Sequence, residues 1–287
     1  MIYKVSEFPR RLEIELVSNC NLKCMYCPRH YLSNLNGYMD FRLFRRIIDE
    51  ASKYPELIIV LHRRGESMLH PEFKEMLRYI SGKFKEVQMA TNATLLTKDT
   101  YEAIIDSLSF LSFSLDVPEN YDKLRVPAKY KKVEKKILDF LNYNEGKIRT
   151  QVSMVKTVNT TEENIQEFKN IWQGKVDRIR IYEEHSKNGV FGSLVNHRKD
   201  RMPCVMPFYE MLIYDDGSVG RCNHDWNGGP LMGNVNNDTI RAIWHNQKYE
   251  KLRNEHCKLD FTDAVCKNCD SWYSEIGNQG TGEVIEK

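Results

Sequence analysis

Short apolar runs alternate with longer amphipathic stretches between residues 12 and 182. Runs rich in branched and aromatic residues have the length of buried strands, and they are Leu12–Val17, Leu57–Leu61, Glu86–Ala90, Phe110–Leu115, Arg149–Lys156 and Val176–Tyr182. The stretches between them have helical periodicity and are Phe41–Ser52, Pro71–Gly82, Lys98–Ser107, Tyr130–Asn142 and Thr161–Trp172. Strands that alternate with helices indicate βαβ units and a parallel sheet. The pattern therefore predicts an α/β fold, a partial (β/α)6 barrel.

The pattern changes after residue 185. His185–Arg201 is polar and predicts a linker, and Met211–Tyr214 with Ser218–Cys222 predicts a β-hairpin around Asp-Asp-Gly. Thr239–Asn254 has the periodicity of one helix, and the tail beyond Ile276 is expected to be disordered. We therefore expect two domains, a barrel over 1–190 and a small α+β domain over 191–287.

Composition and charge fit a soluble enzyme. The chain has 287 residues and a net charge of +2, so charge gives no reason to expect nucleic acid as a partner. No apolar run reaches the roughly 20 residues that cross a bilayer, and the first residues lack the apolar core of a signal peptide. We expect a cytoplasmic protein with no membrane partner.

The eight cysteines fall into two groups, and cysteines in a cytosolic chain favour metal binding over disulfides. Cys20, Cys24 and Cys27 form C-x3-C-x2-C, which could hold three irons of a [4Fe–4S] cluster and leave one iron open. Zinc is the alternative there, with His30 as a further ligand. The second group, by count, fits either a closed [4Fe–4S] cluster or a structural zinc, and its four ligands are Cys204, Cys222, Cys266 and Cys269.

One cysteine, Cys257, is left over. It could be a structural free thiol or a replacement cluster ligand. A thiol can also give a hydrogen atom to a carbon radical, so Cys257 is also a candidate catalytic residue.

The first cysteine group, with Tyr26 before Cys27, resembles the radical S-adenosylmethionine (SAM) superfamily. That resemblance implies that the open iron binds SAM and that reduction yields a 5′-deoxyadenosyl radical. The second group resembles the shortened "twitch" form of the SPASM auxiliary domain, through GNV at 233–235, the IWHNQKYEKLR run at 243–253 and VCKNC at 265–269. The implied cofactors are SAM and two [4Fe–4S] clusters, and the implied electron donor is a flavodoxin or ferredoxin.

Residues after the predicted strands are candidates for the SAM and substrate sites. By resemblance, Gly65 and Glu66 hold the amino group of SAM, although Arg64 stands where the superfamily usually has glycine. The remaining cofactor-binding candidates are Tyr26, Asn92, Ser114 and Ser153.

Four polar residues are the other catalytic candidates, namely His62, Arg63, Arg64 and Arg180. Strand alternation would point Arg63 away from its neighbours. The arginines could clamp an anion or could pair with protein carboxylates, and His62 could take a hydroxyl proton.

The resemblance implies hydrogen abstraction from a small polar substrate. The resemblance is clearest to members of the superfamily that oxidise a secondary alcohol of an aminocyclitol to a ketone, so the expected substrate is a sugar or a cyclitol. An epimerase that uses Cys257 and a peptide- or protein-modifying enzyme are the alternatives. From another class, the alternative is a zinc-binding interaction protein.

Overall fold

The computed structural model describes residues 3–32, 35–184, 201–226, 229–262, 264–269, 272 and 282–286. The strands within them are β1 (Arg11–Ile14), β2 (Lys23–Cys24), β3 (Ile58–Val60), β4 (Glu86–Thr91), β5 (Phe110–Ser114), β6 (Arg125–Val126), β7 (Arg149–Lys156), β8 (Arg178–Glu183), β9 (Glu210–Ile213), β10 (Ser218–Gly220), β11 (Gly233–Asn234) and β12 (Gly282–Glu286). The α-helices are α1 (Phe41–Ala51), α2 (Phe73–Ile80), α3 (Lys98–Ser107), α4 (Pro118–Leu124), α5 (Tyr130–Asn144), α6 (Glu162–Trp172), α7 (Met206–Tyr209), α8 (Ile240–Trp244), α9 (Gln247–Lys258) and α10 (Ala264–Asn268).

Six parallel strands form the centre of one sheet, in the order β1-β3-β4-β5-β7-β8. Helices connect successive strands and return the chain to the amino end of the sheet, as βαβ units require. The predicted partial (β/α)6 barrel is therefore confirmed.

Side chains that cap the helices explain several boundaries. The carboxylate of Asp40 accepts hydrogen bonds from the first backbone N–H groups of α1. Thr161 and Asn164 exchange bonds across the start of α6 as a capping box, with both distances 3.2 Å. The predicted start at Thr161 is thus correct.

The two faces of the central sheet differ in chemistry. One face carries buried apolar side chains that pack against the helices, among them Leu12, Val87, Leu111 and Val152, and burial of each such side chain contributes about 1.5–3 kcal/mol. The opposite, inner face carries polar residues. The inner face is therefore fit for a polar ligand rather than for a packed apolar core.

The predicted hairpin forms and joins the barrel sheet. β9 pairs in parallel with β1, and β10 pairs with β9 in antiparallel fashion. Gly217 in the connecting turn has φ 83°, which only glycine adopts without strain. The second cysteine-bearing region thus extends the same sheet instead of standing apart.

Two predicted elements are wrong. The tail was expected to be disordered, but Gly282–Glu286 forms β12 against the open edge of β8, because that edge offers unpaired backbone groups. The single helix predicted from Thr239 is two helices, because the side chain of Asn246 accepts a bond from Tyr249 N and starts α9 anew. The predicted linker lies outside the described residues except for Arg201.

Candidate functional site

The first cysteine group lies on a loop at the carboxyl end of β1. β2 within this loop pairs with β6, so that Cys24 faces Arg125 and Lys23 faces Val126. Cys27 N donates to Cys24 O at 3.0 Å, which closes the turn between the last two cysteines. All three cysteines are half-buried, and none of them is in a disulfide bond. A short loop with three such thiols at the end of a barrel strand can hold an iron–sulfur cluster.

Gly65 and Glu66 lie directly against this loop. Glu66 N donates to Asn19 O at 2.8 Å, and a Cβ built on Gly65 would lie 2.3 Å from the same oxygen. Only glycine lets the two backbones approach so closely. Glu66 is buried, and burial raises the pKa of its carboxyl although Asn92 N and Thr91 Oγ1 donate to it at 2.8 Å each.

The turn after β4 completes this arrangement. Asn92 Nδ2 donates to Asn21 Oδ1 at 2.9 Å and lies 3.9 Å from Cys20 Sγ. Ala93, where the superfamily usually has glycine, has φ 61°, so the turn keeps the left-handed conformation that glycine favours. Glu66, Asn92 and the cysteine loop are therefore brought together as the sequence predicts.

Tyr26 belongs to a buried network beside Cys24. Its hydroxyl donates to Asp116 Oδ2 at 2.8 Å, and Arg125 Nε donates to the same oxygen at 2.6 Å. Burial raises the pKa of the Cys24 thiol, and the nearby Arg125 cation opposes that rise. A cation here favours bound thiolate, which suits a cluster ligand. Asp116 and Arg125 are not among the site residues predicted from the sequence.

Arg64 is held inside the protein. Its Nε and Nη2 donate to the two carboxylate oxygens of Glu15 at 2.8 Å and 2.5 Å, and Asp215 lies 3.8 Å from Nη2. The guanidinium also covers the ring of Tyr214 at 4.1 Å. Of the two roles considered for Arg64, a clamp for a ligand anion or a partner of protein carboxylates, the structure supports the second: Arg64 joins Glu15, at the end of β1, to Asp215 of the hairpin turn.

The alternation predicted for Arg63 and Arg64 was based on a strand, but β3 ends at Val60 and both arginines lie in the bend that follows. Arg63 Nε lies 3.6 Å from Glu13 Oε1, and its guanidinium covers Trp226 at 4.9 Å. Arg63 therefore faces a carboxylate on the inner face of the barrel.

His62 also lies at this point. Its Nδ1 accepts a bond from Ala90 N at 3.0 Å. Burial, with help from the Arg11 and Arg63 cations, lowers its pKa to about 3. The ring is therefore neutral with its proton on Nε2, which makes His62 a hydrogen-bond donor and a poor base.

Glu13 is an inner-face carboxylate that the sequence analysis missed. It is 4% exposed. Burial raises its pKa to about 7, Glu210 adds to the rise, and Arg63 and Arg11 oppose it. The charged residues in the buried run RLEIEL were the available signal, since strand alternation puts them on one face. A carboxyl with such a pKa can take up or release a proton near neutral pH.

The far side of the inner face brings three predicted residues into register. Ser114 pairs with Ser153 across β5 and β7, and Ser153 pairs with Arg180 across β7 and β8. Arg180 is 1% exposed and lies 4.8 Å from the ring of Tyr182. These residues share the inner face with Glu13, on different strands.

The second cysteine group surrounds a site next to the hairpin. Burial, followed by the charges of Cys269 and Cys266, raises the pKa of Cys204 to about 12. Burial and the charges of the other three thiols raise the pKa of Cys222. The four thiols are therefore close enough to repel one another as thiolates. A cationic metal centre is what such a set of ligands requires.

Two arginines support this site. Arg201 donates to the carbonyl oxygens of Cys269 and Cys266 at 3.0 Å and 2.8 Å. Arg221 lies 3.9 Å from Cys266 Sγ and pairs with Asp225 at 2.9 Å. Hydrogen bonds to sulfur and nearby cations are the groups that tune iron–sulfur centres.

The donor sets suit iron–sulfur clusters. A cubic cluster binds each thiolate through a different iron, and cysteine thiolates are the ligands that such clusters take. His30, the candidate further zinc ligand, instead bonds to Cys24 O at 3.0 Å. Both cysteine groups therefore fit [4Fe–4S] clusters.

Cys257 is not among the thiols whose charges raise the pKa of Cys204 and Cys222. It is half-buried near the end of α9, a helix that packs against α7. Its neighbour His256 accepts a bond from Cys204 N at 3.2 Å. Cys257 thus belongs to the surroundings of the second site, and not to the inner face that carries Glu13.

Comparison with known families identifies the chain. The radical SAM superfamily profile matches residues 14–181, which is more than half of the sequence. The chain belongs to the radical SAM superfamily. The SPASM iron–sulfur cluster-binding domain matches residues 204–270, which contain all four cysteines of the second group. SAM, a [4Fe–4S] cluster that binds it and an auxiliary iron–sulfur cluster are accordingly the cofactors of this enzyme.

Two curated relatives are similar to the chain over very different lengths. The tungsten-containing aldehyde ferredoxin oxidoreductase cofactor-modifying protein of Pyrococcus furiosus is 35% identical over 108 residues, 37% of this chain, and the chain spans only 30% of that protein. The SAM-dependent 2-deoxy-scyllo-inosamine dehydrogenase of Niallia circulans is 23% identical over 279 residues, which cover 91% of this chain and 92% of the dehydrogenase.

Solved structures share the fold at low identity. BtrN in complex with AdoMet and 2-DOIA gives a TM-score of 0.64 at 18% identity, over 96% of this chain and 98% of BtrN. Streptococcus suis SuiB bound to its precursor peptide SuiA gives 0.71 at 16% identity, over 93% of this chain and 72% of SuiB. The fold is thus shared with one protein that binds small molecules and with one that binds a peptide. None of the helices in the described ranges combines the length and apolar character that crossing a membrane requires.

Proposed function

We propose that this radical SAM enzyme oxidises a secondary alcohol of a sugar or aminocyclitol to a ketone. The observation that carries the proposal is the polar inner face of the barrel, where Glu13, Ser153 and Arg180 are buried. Such a lining can satisfy the hydroxyl and amino groups of a small polar molecule. The likeness to the dehydrogenase over nearly the whole length of both chains supports the same choice.

Oxidation of a secondary alcohol removes one hydrogen atom from carbon, one proton from oxygen and one electron. When bound, SAM and its cluster supply the radical that removes the hydrogen atom, and the auxiliary cluster supplies an acceptor for the electron. The chain itself has to orient the substrate and to accept the proton.

Glu13 is the proposed proton acceptor. With a pKa of about 7, it is ionised in a large fraction of molecules at neutral pH and can take the hydroxyl proton. Arg63, 3.6 Å from its carboxylate, holds it in place. His62 is the weaker candidate, because its pKa of about 3 and its bond from Ala90 leave it little basicity.

Arg180 is proposed to hold the substrate. The strand register places it on the same inner face as Glu13, and burial lowers its pKa. A guanidinium donates several directed bonds to hydroxyl oxygens. The proposed substrate is therefore bound between a carboxylate on β1 and a guanidinium on β8.

The test is a substrate screen with anaerobic, reconstituted enzyme, SAM and a reductant, starting with aminocyclitols and sugars deuterated at carbinol carbons. We expect deuterium in 5′-deoxyadenosine and an equal amount of ketone, trapped with a hydrazine. Deuterium transfer with an inverted alcohol as product would instead identify an epimerase. Turnover of peptides alone would favour the peptide-modifying alternative, which the fold of SuiB supports.

A further inference from the structure

The outer side of the cysteine loop exposes apolar side chains next to the proposed cluster site. Met25, between Cys24 and Cys27, is 66% exposed, Tyr31 is also 66% exposed and Val126 is 43% exposed. Single exposed apolar residues are common, but a group of them marks an interaction surface.

These residues form one surface because the backbone joins them. Val126 lies opposite Lys23 in the pairing of β2 with β6, and Met25 N donates to Leu124 O at 2.9 Å. The short 3-10 helix that ends at Tyr31 is held on the loop by the bond between His30 Nε2 and Cys24 O, at 3.0 Å. We call Lys23, Met25, Tyr31 and Val126, with the adjoining lysines named below, the loop surface.

The loop surface is strongly basic. Segments 21–32 and 123–133 contain no Asp or Glu, although the rest of the chain carries more carboxylates than cations. Lys23 and Lys123 are exposed, and neither forms an ion pair within the described part of the chain. Lys129, also exposed, pairs with Asp122 at 3.1 Å. Exposed lysines and exposed apolar side chains therefore lie on the same two segments of the chain.

We propose that the loop surface is the docking site of an acidic electron-transfer protein. The inference rests on the proposed function, since it assumes a cluster on the cysteine loop. An acidic partner complements the lysines, which steers encounter, and the exposed apolar side chains supply desolvated contact. The partner then lies against Met25, between two cluster ligands. One electron passes from the reduced partner to the cluster, so the partner is oxidised and the cluster is reduced.

The test compares a reductant that must dock with one that need not. Reconstituted enzyme is reduced either by bacterial flavodoxin, kept reduced with NADPH and its reductase, or by dithionite. The test variant is the double substitution Lys23→Glu/Lys123→Glu. The matched control is Lys53→Glu, because Lys53 is exposed and follows α1 at the opposite, amino end of the barrel.

We expect the double variant to bind flavodoxin at least about tenfold more weakly by calorimetry, and to be reduced by it correspondingly more slowly. Excess dithionite should reduce the cluster of the double variant to the same final extent as that of the wild type, and Lys53→Glu should match the wild type throughout. High salt should weaken binding of the wild type.

The proposal would be overturned if the double variant bound flavodoxin as tightly as the wild type does. It would also be overturned if Lys53→Glu lost as much affinity for flavodoxin as the double variant. If the wild type eluted as a dimer in size-exclusion chromatography and the double variant as a monomer, the loop surface would be assigned to a second copy of this chain, and the proposal would be overturned. Absence of 5′-deoxyadenosine with dithionite and SAM would count against the proposed function itself.

Discussion

Replacement of Glu13 by glutamine tests the inner face without knowledge of the substrate. A glutamate has an ordinary pKa of 4.5, and burial raises that of Glu13 to about 7. When the pH lies between these two pKa values, Glu13 keeps its proton in the folded protein and loses it in the unfolded chain. A rise in pH therefore lowers the free energy of unfolding of the wild type. The variant Glu13→Gln lacks this dependence.

The expected size follows from the two pKa values. Between about pH 6 and about pH 8, Glu13 therefore lowers the free energy of unfolding of the wild type by about 1.4 kcal/mol, which is the equivalent of one pKa unit. For a chain of this size, that corresponds to roughly 3–5 °C in melting temperature. The melting temperature of Glu13→Gln, measured relative to that of the wild type, should therefore rise by this amount between the lower and the higher pH.

The assay is thermal unfolding of reconstituted protein under anaerobic conditions at both pH values. The control is Glu102→Gln, which changes an exposed glutamate of α3 and should leave the difference from the wild type constant. A pH-independent difference between Glu13→Gln and the wild type would refute the raised pKa and, with it, the proposed proton acceptor.

Three further predictions concern the two cluster sites. Gly65→Ala should weaken SAM binding at least about tenfold, because the new Cβ would lie 2.3 Å from two backbone carbonyl oxygens; wild-type affinity in equilibrium dialysis would contradict this. Arg125→Met should lower the free energy of unfolding in urea by about 3–5 kcal/mol, because it leaves the Asp116 carboxylate buried without its cation. The double variant Arg125→Met/Asp116→Asn should recover part of this stability; a double variant that is as unstable as Arg125→Met would refute the pairing. Arg201→Gln should make the midpoint potential of the auxiliary cluster more negative, since it removes a cation beside two ligand carbonyls; an unchanged potential in an electron paramagnetic resonance titration would count against this role.

The barrel could be predicted because its local signals agree with one another. Apolar runs of strand length alternate with amphipathic stretches, and caps such as Thr161 mark the starts of helices. The C-x3-C-x2-C spacing identified the first metal site because its three ligands lie on one short loop. The second site, whose ligands extend from Cys204 to Cys269, was inferred from the number of cysteines and from the resemblance to the twitch domain. The helix break at Asn246 was missed, since the same residues have helical periodicity on either side.

Partners that are distant in sequence could not be predicted. Arg64 could have bound a ligand anion or a protein carboxylate, and only the fold brings Glu15 to it. The bond between Tyr26 and Asp116 likewise joins residues from β2's loop and the end of β5. β12 depends on the open edge of β8, which no local feature of the tail reveals.

The central claim is that this chain carries a SAM-cleaving cluster and a separate auxiliary cluster. The most direct measurement is iron and sulfide per chain after anaerobic reconstitution, together with 5′-deoxyadenosine formed from SAM and dithionite. The wild type should hold about eight irons and form 5′-deoxyadenosine, whereas a variant with Cys266 and Cys269 changed to alanine should hold about four and still form it. A wild type with no iron and no 5′-deoxyadenosine would contradict the account.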